Sequence, residues 1–309
     1  MKALERVRGR AAGRVAVLSA VWNHPLNRGS RPGAIRDYLL WNAFRFTMAA
    51  RPLVRLTDDL EIILGRGENY GSAVYAHGVA DYAEMLFVAH AMRPDEVFVD
   101  VGGNVGMYSV WAAGVAGARV IAFEPVPETH ETFLKNVRLN GLDDRVTLHR
   151  MAAGAVDGTL RMAARGGLAH VVENGARADG ASVVEVPVGR VEAICEGESA
   201  TLMKVDVEGF EKQALLGATG LLAQPSLRAV IVELQDWTLR KFGTSEREVR
   251  ALLERQGFEA CAYDPDARKL GPAGSDGGLN AIFVRDREAV AARCREAPRV
   301  RLPFRPGGV

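Results

Sequence analysis

The sequence predicts an α/β protein with a Rossmann-like fold, in which helices cover both faces of a mostly parallel sheet. Two observations predict it. From Glu96 onward, short apolar and β-branched runs alternate with helical stretches, which is typical of a parallel sheet buried on both faces. One of these runs, beginning at Val97, leads straight into a glycine-rich turn and then a helix, so that a ligand can approach the backbone at the end of a strand.

The predicted elements follow one another from Val97 to Val284. Seven strands are predicted, at Val97–Val101, Arg119–Phe123, Val146–Arg150, Thr201–Val207, Ala229–Leu234, Glu259–Tyr263 and Asn280–Val284. The helices between them are predicted at Val105–Ala116, Pro127–Asn140, Glu211–Leu222 and Glu246–Gln256. Because the last helix is followed by two strands close together, we expect the sheet to end in an antiparallel hairpin. Residues 163–182 are rich in Gly and Ala and are expected to form a mobile loop near the site.

The rest of the chain is predicted to flank this domain. Residues 1–90 form a basic tail and a helical extension or cap, residues 91–285 form the main domain, and residues 286–309 form a basic tail. A short strand at Leu60–Leu64 and a helix at Asp81–Met92 are predicted within the extension. A further helix from Gly33 to Ala50 carries one apolar face, made of Ile35, Leu39, Leu40, Ala43, Phe44 and Met48. We expect that face to pack on its own domain, with a twin subunit or a membrane surface as alternatives.

Composition narrows the class of protein. The net charge of +1 argues against a nucleic-acid binder, although residues 1–14 (five basic, one acidic) and 285–309 (seven basic, three acidic) are basic and allow weak contact with acidic lipids. The three cysteines, Cys195, Cys261 and Cys294, match neither a disulfide framework nor a metal-ligand spacing, which favours a reducing compartment. No stretch is long and apolar enough for a membrane span or a signal peptide, so we expect a cytoplasmic protein.

The strongest motif is the turn that follows the first strand. It reads Asp100-Val-Gly102-Gly103-Asn104-Val-Gly106, and no G-x-G-x-x-G pattern of the dinucleotide enzymes fits it. An acid ahead of the turn repels a pyrophosphate but suits a ligand with an ammonium group, such as the methionine part of S-adenosylmethionine. The second strand ends in Glu124, 18 residues after Gly106, where a carboxylate can accept both hydroxyls of a ribose. Together with the final hairpin, these acids predict the fold of class I methyltransferases.

The sequence resembles the FkbM family of methyltransferases over about residues 68 to 284. The matching segments are Asp100-Val-Gly-Gly-Asn-Val-Gly106, Phe123-Glu124-Pro125, Asn136-x-x-x-Asn140 and Lys204-Val-Asp206-Val-Glu208-Gly209-Phe-Glu211. The last segment is the most specific, and the one departure is Gly103, where the family usually has Ala. The resemblance implies S-adenosylmethionine as cofactor and O-methylation, often of sugar hydroxyls on glycolipids, surface polysaccharides or glycosylated natural products.

The resemblance also implies further contacts to the cofactor. Ala152, with Met151 and Ala153, is expected beside the adenine, and Ser109 beside the methionine end. Glu84 is a weaker candidate for the amino-acid end, with a solvent-exposed salt bridge as the alternative.

The chemistry is expected at the ends of the fourth and fifth strands. Removing a proton from a hydroxyl during methyl transfer requires a base or a metal, and Asp206, Glu208 and Glu233 should gather there. Lys204 lies in a strand that is covered on both faces, so it must be paired, and Asp206 is the nearest acid on its side. We take Asp206 as the first candidate for the base, with a purely architectural network as the alternative. His170 and His77, both predicted in loops, compete for that role.

Several alternatives remain at this stage. No spacing demands a metal, so we assign no metal ligand, although a divalent cation bridging Asp206 and Glu233 is compatible with carboxylate chemistry. Methylation of a nitrogen, a peptide or a lipid is a second function of the same class. A non-catalytic protein that binds S-adenosylmethionine is a third, and a nicotinamide oxidoreductase is disfavoured by the glycine spacing. A homo-oligomer formed through the N-terminal helix is a further expectation.

Overall fold

The computed structural model describes residues 15–44, 51–64, 70–165, 168–171, 182–273 and 279–303. Within these residues the main helices are α1 (15–23), α2 (Arg31–Phe44), α3 (Tyr70–His77), α4 (Tyr82–Ala91), α5 (Met107–Ala116), α6 (Pro127–Leu139), α7 (Val191–Ile194), α8 (Glu211–Leu216), α9 (Thr219–Leu222), α10 (Asp236–Leu239), α11 (Glu246–Arg255) and α12 (Arg287–Glu296). Short 3-10 turns at Pro25–Asn27 and Arg240–Phe242 complete the helical segments of this part of the chain.

The central sheet, as far as the structure describes it, has eight strands. From edge to edge they are β13 (Lys269–Pro272), β12 (Glu259–Asp264), β14 (Asn280–Val284), β11 (Ala229–Glu233), β10 (Ala200–Val205), β3 (Val97–Val101), β4 (Arg119–Phe123) and β5 (Val146–His149). The five strands from β11 to β5 are parallel, and β14 and β12 are antiparallel to their neighbours. Every residue of β3, β10 and β11 is buried, and apart from Asp100, Thr201, Lys204 and Glu233 these strands are apolar, as expected for a sheet that is covered on both faces.

Side chains along each central strand alternate between two cores, one on each face of the sheet. Phe98 and Leu202 stand opposite each other in β3 and β10, and both belong to the core that α4 and α5 cover. Asp100 and Lys204 form the next pair on the same face. The sheet register therefore directs an acid and a lysine toward the same two helices.

The structure confirms the predicted Rossmann-like sheet and its final hairpin. The strands at Val97–Val101, Arg119–Phe123 and Asn280–Val284 have the predicted bounds. Two details differ: β13 adds an eighth strand at the edge, and the helix predicted at Glu211–Leu222 is divided into α8 and α9.

A second sheet replaces the loop predicted at residues 163–182, so that prediction was wrong for the described part of the segment. Its strands are β6 (Ala152–Ala153), β7 (Gly158–Arg165), β8 (Leu168–Val171) and β9 (Ser182–Gly189), in the order β6-β9-β7-β8. The sheet buries Met162, Val186 and Val188 against Ala152. The small residues allow a compact sheet but hide its alternating pattern. Residues 166–167 and 172–181 lie outside the described residues.

The N-terminal extension packs differently from the prediction. Helix α2 begins at Arg31 and buries Ala34 and Trp41, whereas Leu39 and Leu40 of the predicted buried face are about half exposed, at 51% and 47%. Phe44 is also exposed, and Met48 lies outside the described residues. The apolar residues do occur at helical spacing, but the side of the helix that packs is the one that carries Trp41. A two-stranded sheet of β1 (Leu53–Arg55) and β2 (Glu61–Ile63) follows.

The predicted C-terminal tail contains a packed helix. Residues Val290 and Cys294 of α12 are buried, and the Nε of Arg293 donates to the carbonyl oxygen of Ala91 at the end of α4. Asp286 caps the helix by accepting from the N–H of Ala289. Apolar residues four positions apart therefore anchor part of a segment that composition alone describes as a basic tail. None of the helices in the described residues has the length and apolar character needed to cross a bilayer.

Candidate active site

The glycine-rich turn after β3 is tightly built. The N–H groups of Gly102 and Gly103 both donate to the carbonyl oxygen of Phe123 at 3.0 Å, which ties the turn to the end of β4. Gly102 has φ +85°, and a Cβ placed there would lie 1.9 Å from the backbone oxygen of Asp206. A side chain at Gly102 is therefore excluded by the chain that follows β10.

The same turn packs against the ring of Phe133 in α6. A Cβ at Gly106 would lie 2.5 Å from that ring, and a Cβ at Gly103 would lie 2.6 Å from it. Phe133 is fully buried, so it has little room to move. The alanine usual in the FkbM family at the position of Gly103 therefore does not fit here without a shift of Phe133.

Asp100 is buried at the end of β3, with 1% of its surface exposed. The hydroxyl of Ser109 donates to its Oδ2 at 2.6 Å, whereas its Oδ1 has no hydrogen-bond partner among the described residues. Burial raises the pKa of Asp100, with the Lys204 ammonium and the Ser109 hydrogen bond acting against that shift. An ionised Asp100 thus has one oxygen available for a cationic group of a ligand. Ser109 is fully buried and contacts this carboxylate.

Glu124 connects the turn to the end of β4. Its Oε2 accepts from the N–H of Asn104 at 3.0 Å, and its Oε1 accepts from the N–H of Val126 at 2.8 Å. A carboxylate oxygen has two acceptor lone pairs, so these contacts leave room for hydroxyl donors. Pro125 follows and is buried. Beyond β5, Ala152 is buried in the small cluster of the second sheet, and Met151 is half-buried beside it.

A buried lysine stands at the centre of the acidic groups. Lys204 Nζ lies 2.7 Å from Asp206 Oδ2 and 4.6 Å from the centroid of the Tyr108 ring, so the predicted pairing with Asp206 is confirmed. The hydroxyl of Tyr108 donates to Asp81 Oδ2 at 2.8 Å. Burial by itself lowers the pKa of Lys204, but the charges of Asp206, Asp100 and Asp81 outweigh burial and raise it. Lys204 is therefore a permanent cation at neutral pH.

Two acids of the N-terminal extension belong to this group. Asp81 precedes α4 without capping it, and burial raises its pKa. Glu84 lies in the first turn of the same helix, where burial, followed by the charge of Asp81, raises its pKa to about 7. The sequence analysis placed Glu84 here but missed Asp81. The sequence does show an aspartate at the N-cap position of α4, but an aspartate at such a position is normally explained by helix capping alone.

A second group of acids lies where β10 and β11 end. One carboxylate oxygen from each of Asp206, Glu208 and Glu233 lies within 4.8 Å of the others. The amide of Gln235 donates to Glu233 Oε1 at 2.6 Å, while Glu233 Oε2 is buried without a hydrogen-bond partner in the described residues. Burial, followed by the charges of Asp206 and Glu208, raises the pKa of Glu233 to about 9. The sequence analysis predicted that these three acids gather at the ends of the strands, and the structure brings them together.

Glu211, the second acid of the Glu-Gly-x-Glu segment, has a structural role in the turn after β10. Its Oε1 accepts from the N–H groups of Gly209 and Val207, at 2.9 and 3.2 Å. Gly209 has φ +105°, and a Cβ there would lie 2.6 Å from the backbone oxygen of Thr238. Glu211 is fully buried, and burial raises its pKa to about 7. It therefore holds the turn that carries Glu208.

The two histidines differ from the prediction that they lie in loops. His77 is the last residue of α3, where its ring stacks on His24 at 3.9 Å and its Nδ1 lies 3.0 Å from Asn27 Nδ2. The backbone of His170 pairs with Ala163 in the second sheet. The side chain of His170 lies outside the described residues. Of the two, His77 thus has partners in the N-terminal extension, while a role for His170 stays a prediction.

The strand order, the glycine turn after β3 and the acids at the ends of β3 and β4 together define a class I methyltransferase, whose cofactor is S-adenosylmethionine. The profile of the FkbM methyltransferase domain matches residues 100–260, which is 161 of the 309 residues. The chain belongs to the FkbM methyltransferase family.

Three individual proteins that this chain resembles are between 11% and 28% identical to it. The protein named Methyltransferase 1 of Beauveria bassiana (strain ARSEF 2860) is 28% identical over 247 residues, which cover 71% of this chain and 94% of that protein. A precorrin 8w decarboxylase structure from Methanobacterium thermoautotrophicum matches with 18% identity and a TM-score of 0.39, covering 67% of this chain and 89% of the other. A SAM-dependent O-methyltransferase structure from Thermotoga maritima matches with 11% identity and a TM-score of 0.36, covering 67% and 65%.

Proposed function

We propose that this methyltransferase acts on a hydroxyl oxygen of a sugar-containing acceptor, such as a glycan, a glycolipid or a glycosylated natural product. The observation that carries the proposal is the carboxylate of Asp206, held by the buried Lys204 at the end of β10 and close to Glu208 and Glu233. A sugar hydroxyl is a weak acid, so its methylation needs a proton acceptor at this edge of the sheet. Methylation of an amine needs no such cluster, because a neutral amine is already nucleophilic.

The cofactor is assigned to the groups around β3 and β4. We assign the ammonium of its methionine part to Asp100 Oδ1 and to Glu84, because Asp100 Oδ1 is a buried acceptor without a partner in the described residues. The ribose hydroxyls are assigned to Glu124, and the backbone of Gly102, Gly103, Asn104 and Gly106 lies along the ligand. Ala152 and Pro125 are assigned to the adenine side, and Ser109 keeps Asp100 in place.

The catalytic residues act on the proton and on the acceptor. S-adenosylmethionine supplies a methyl group bonded to a positively charged sulfur. Asp206 would take the proton of the acceptor hydroxyl as the new carbon–oxygen bond forms and the bond between the methyl carbon and the sulfur breaks, which leaves S-adenosylhomocysteine. Lys204 holds one oxygen of Asp206 and so fixes the direction in which the other points. Glu208 lies beside Asp206, and His170 remains the second candidate for the base.

We propose that the chain divides into an extension over residues 1–90, a methyltransferase domain over 91–285 and a C-terminal segment over 286–309. Asp81 and Glu84 belong to the extension, yet their pKa values are affected by the charge of Lys204 in β10. The extension is therefore proposed to be part of the active site and not a detachable cap.

A screen of acceptors tests the proposal. The purified chain is incubated with isotopically labelled S-adenosylmethionine and matched panels of glycans, glycolipids, small alcohols and amines, and products are detected by mass spectrometry. We expect label on sugar hydroxyls. Asp206→Asn should abolish that label while S-adenosylhomocysteine still binds, as measured by calorimetry. Label on amines or peptides, with none on hydroxyls, would contradict the proposal.

A further inference from the structure

Acidic side chains outnumber basic ones around the ends of β3, β10 and β11. Asp100 pairs in register with Lys204, Asp81 accepts from Tyr108, whose ring lies against the Lys204 ammonium, and Asp206, Glu208 and Glu233 form the three-acid cluster. Among the described residues, Lys204 is the cation in salt-bridge contact with any of these five acids, at 2.7 Å from Asp206 Oδ2.

Three of these acids are arranged as ligands. Asp206, Glu208 and Glu233 each bring one oxygen within 4.8 Å of the others, which is a suitable separation for atoms that share one cation. Asp206 Oδ2 also pairs with Lys204, and because a carboxylate oxygen has more than one lone pair, this pairing does not exclude a second partner. Like charges at this separation repel one another strongly when no cation lies between them.

A separate observation concerns Glu233. The residue is 8% exposed, and its Oε1 accepts from Gln235, yet its Oε2 has no hydrogen-bond donor within the described part of the chain. A buried carboxylate oxygen without a donor is unfavourable by about 1–3 kcal/mol or more. Because Glu233 also brings one oxygen into the three-acid cluster, a positively charged ligand would complete the environment of its carboxylate.

We propose that Asp206, Glu208 and Glu233 bind one divalent cation of the magnesium or manganese type. Hard cations prefer carboxylate oxygens, and the cluster contains neither histidine nor cysteine, the ligands that favour zinc. Three protein oxygens leave coordination positions for water and for the acceptor hydroxyl. A hydroxyl bound to the cation becomes a stronger acid, so that a carboxylate of ordinary basicity can take its proton. The proposal that a cation binds rests on the geometry of the three-acid cluster, whereas its role in proton removal also rests on the proposed function.

Direct binding of Mn²⁺ tests the site without an acceptor. The full chain is freed of metal with a chelator, dialysed and titrated with Mn²⁺ in the presence of S-adenosylhomocysteine, and the electron paramagnetic resonance signal of free Mn²⁺ is measured. We expect one site with a Kd of about 1 mM or tighter, and competition by Mg²⁺. Asp206→Asn and Glu233→Gln should each weaken binding at least about tenfold. Glu254→Gln, which changes an exposed acid of α11, is the matched control and should leave it unchanged.

The outcomes separate the two proposals. Absence of Mn²⁺ binding, or binding that persists in folded Glu233→Gln, overturns the cation site and leaves a proton shared among the carboxylates as the explanation of the cluster. If the chelated enzyme still methylates hydroxyls at the full rate, the cation has no catalytic role and the proposed function stands. If Mn²⁺ binds as expected but hydroxyls are not methylated, the cation site stands and the proposed function fails. Circular dichroism of each variant confirms that it is folded.

Discussion

Lys204 near the end of β10 and Asp206 just after that strand pair with each other at 2.7 Å, with the lysine almost completely buried. Because the ion pair, Asp100 and Asp81 keep Lys204 protonated, the lysine cannot accept a proton during the reaction. Its role is to hold the carboxylate of Asp206, which can accept a proton. The ring of Tyr108 lies against the ammonium and its hydroxyl binds Asp81, so the pair is linked to the extension as well as to the sheet.

The first prediction concerns this pair. Lys204→Met should lower the free energy of unfolding by about 3–5 kcal/mol, because it leaves the carboxylate of Asp206 without its buried partner. The double variant Lys204→Met/Asp206→Asn should recover much of that stability, since the uncompensated charge is removed. Chemical denaturation of Lys204→Met, Asp206→Asn and the double variant measures the coupling. A loss in the double variant equal to the sum of the two single losses would show that the pair is not coupled.

The second prediction concerns the base. Asp206→Asn preserves the shape of the side chain and removes its charge, so turnover should fall about 100-fold or more while S-adenosylhomocysteine binding is retained. Steady-state methyl transfer and calorimetry measure the two quantities. Normal turnover in Asp206→Asn together with inactive His170→Ala or His77→Ala would assign the base to a histidine instead.

The third prediction concerns the ribose. Glu124→Ala removes hydrogen bonds to a charged group, a loss of about 1.5–3 kcal/mol, so the affinity for S-adenosylhomocysteine should fall about tenfold or more. The same change frees the N–H groups of Asn104 and Val126, so the variant should also melt at a lower temperature. Unchanged affinity would show that the ribose is held elsewhere.

The fourth prediction concerns pH. Glu84 has a pKa of about 7 in the free protein, and a neighbouring ammonium would lower the pKa of its carboxyl in the complex. Binding below pH 7 then releases a proton, so affinity for S-adenosylhomocysteine should rise with pH between about pH 5 and 7 and level off above that range. Calorimetry over this range should give a shallower rise for Glu84→Gln and an unchanged one for Glu254→Gln. An identical slope in Glu84→Gln removes Glu84 from the cofactor site.

The fifth prediction concerns the departure from the family pattern. Gly103→Ala should destabilise the protein by about 1–3 kcal/mol, because the new Cβ meets the buried ring of Phe133. Adding Phe133→Leu should restore part of the loss by making room for the methyl group. Thermal unfolding of both variants checks this, and an unaffected Gly103→Ala protein would contradict it.

The sequence predicted the central sheet well because local and long-range signals agree there. The residues of β3 are continuously apolar up to Asp100, and the glycine turn that follows ends the strand unambiguously. The pairing of Lys204 with Asp206 was also predictable, since a buried lysine needs a partner and the alternation of a strand leaves few choices.

Other features could not be read from the sequence for physical reasons. Asp81 lies more than a hundred residues from Lys204 along the chain, and its place in the site depends on how α4 packs. The second sheet was missed because the Gly and Ala content of residues 163–182 favoured a loop, although Val184, Val186 and Val188 of β9 alternate with Glu185 and Pro187. In α2, apolar spacing located the helix, but it could not determine that Trp41 packs inward while Leu39 stays exposed.

The position of β14 in the sheet determines when the sheet can close during synthesis of the chain. This last strand lies between β11 and β12 and pairs with both, while β11 and β12 do not pair with each other. During synthesis, two strand edges therefore stay open until Asn280–Val284 has left the ribosome, and open edges are sites at which chains associate wrongly. A nascent chain arrested before Asn280 holds every residue of the three-acid cluster yet lacks the strand that closes the sheet beside it.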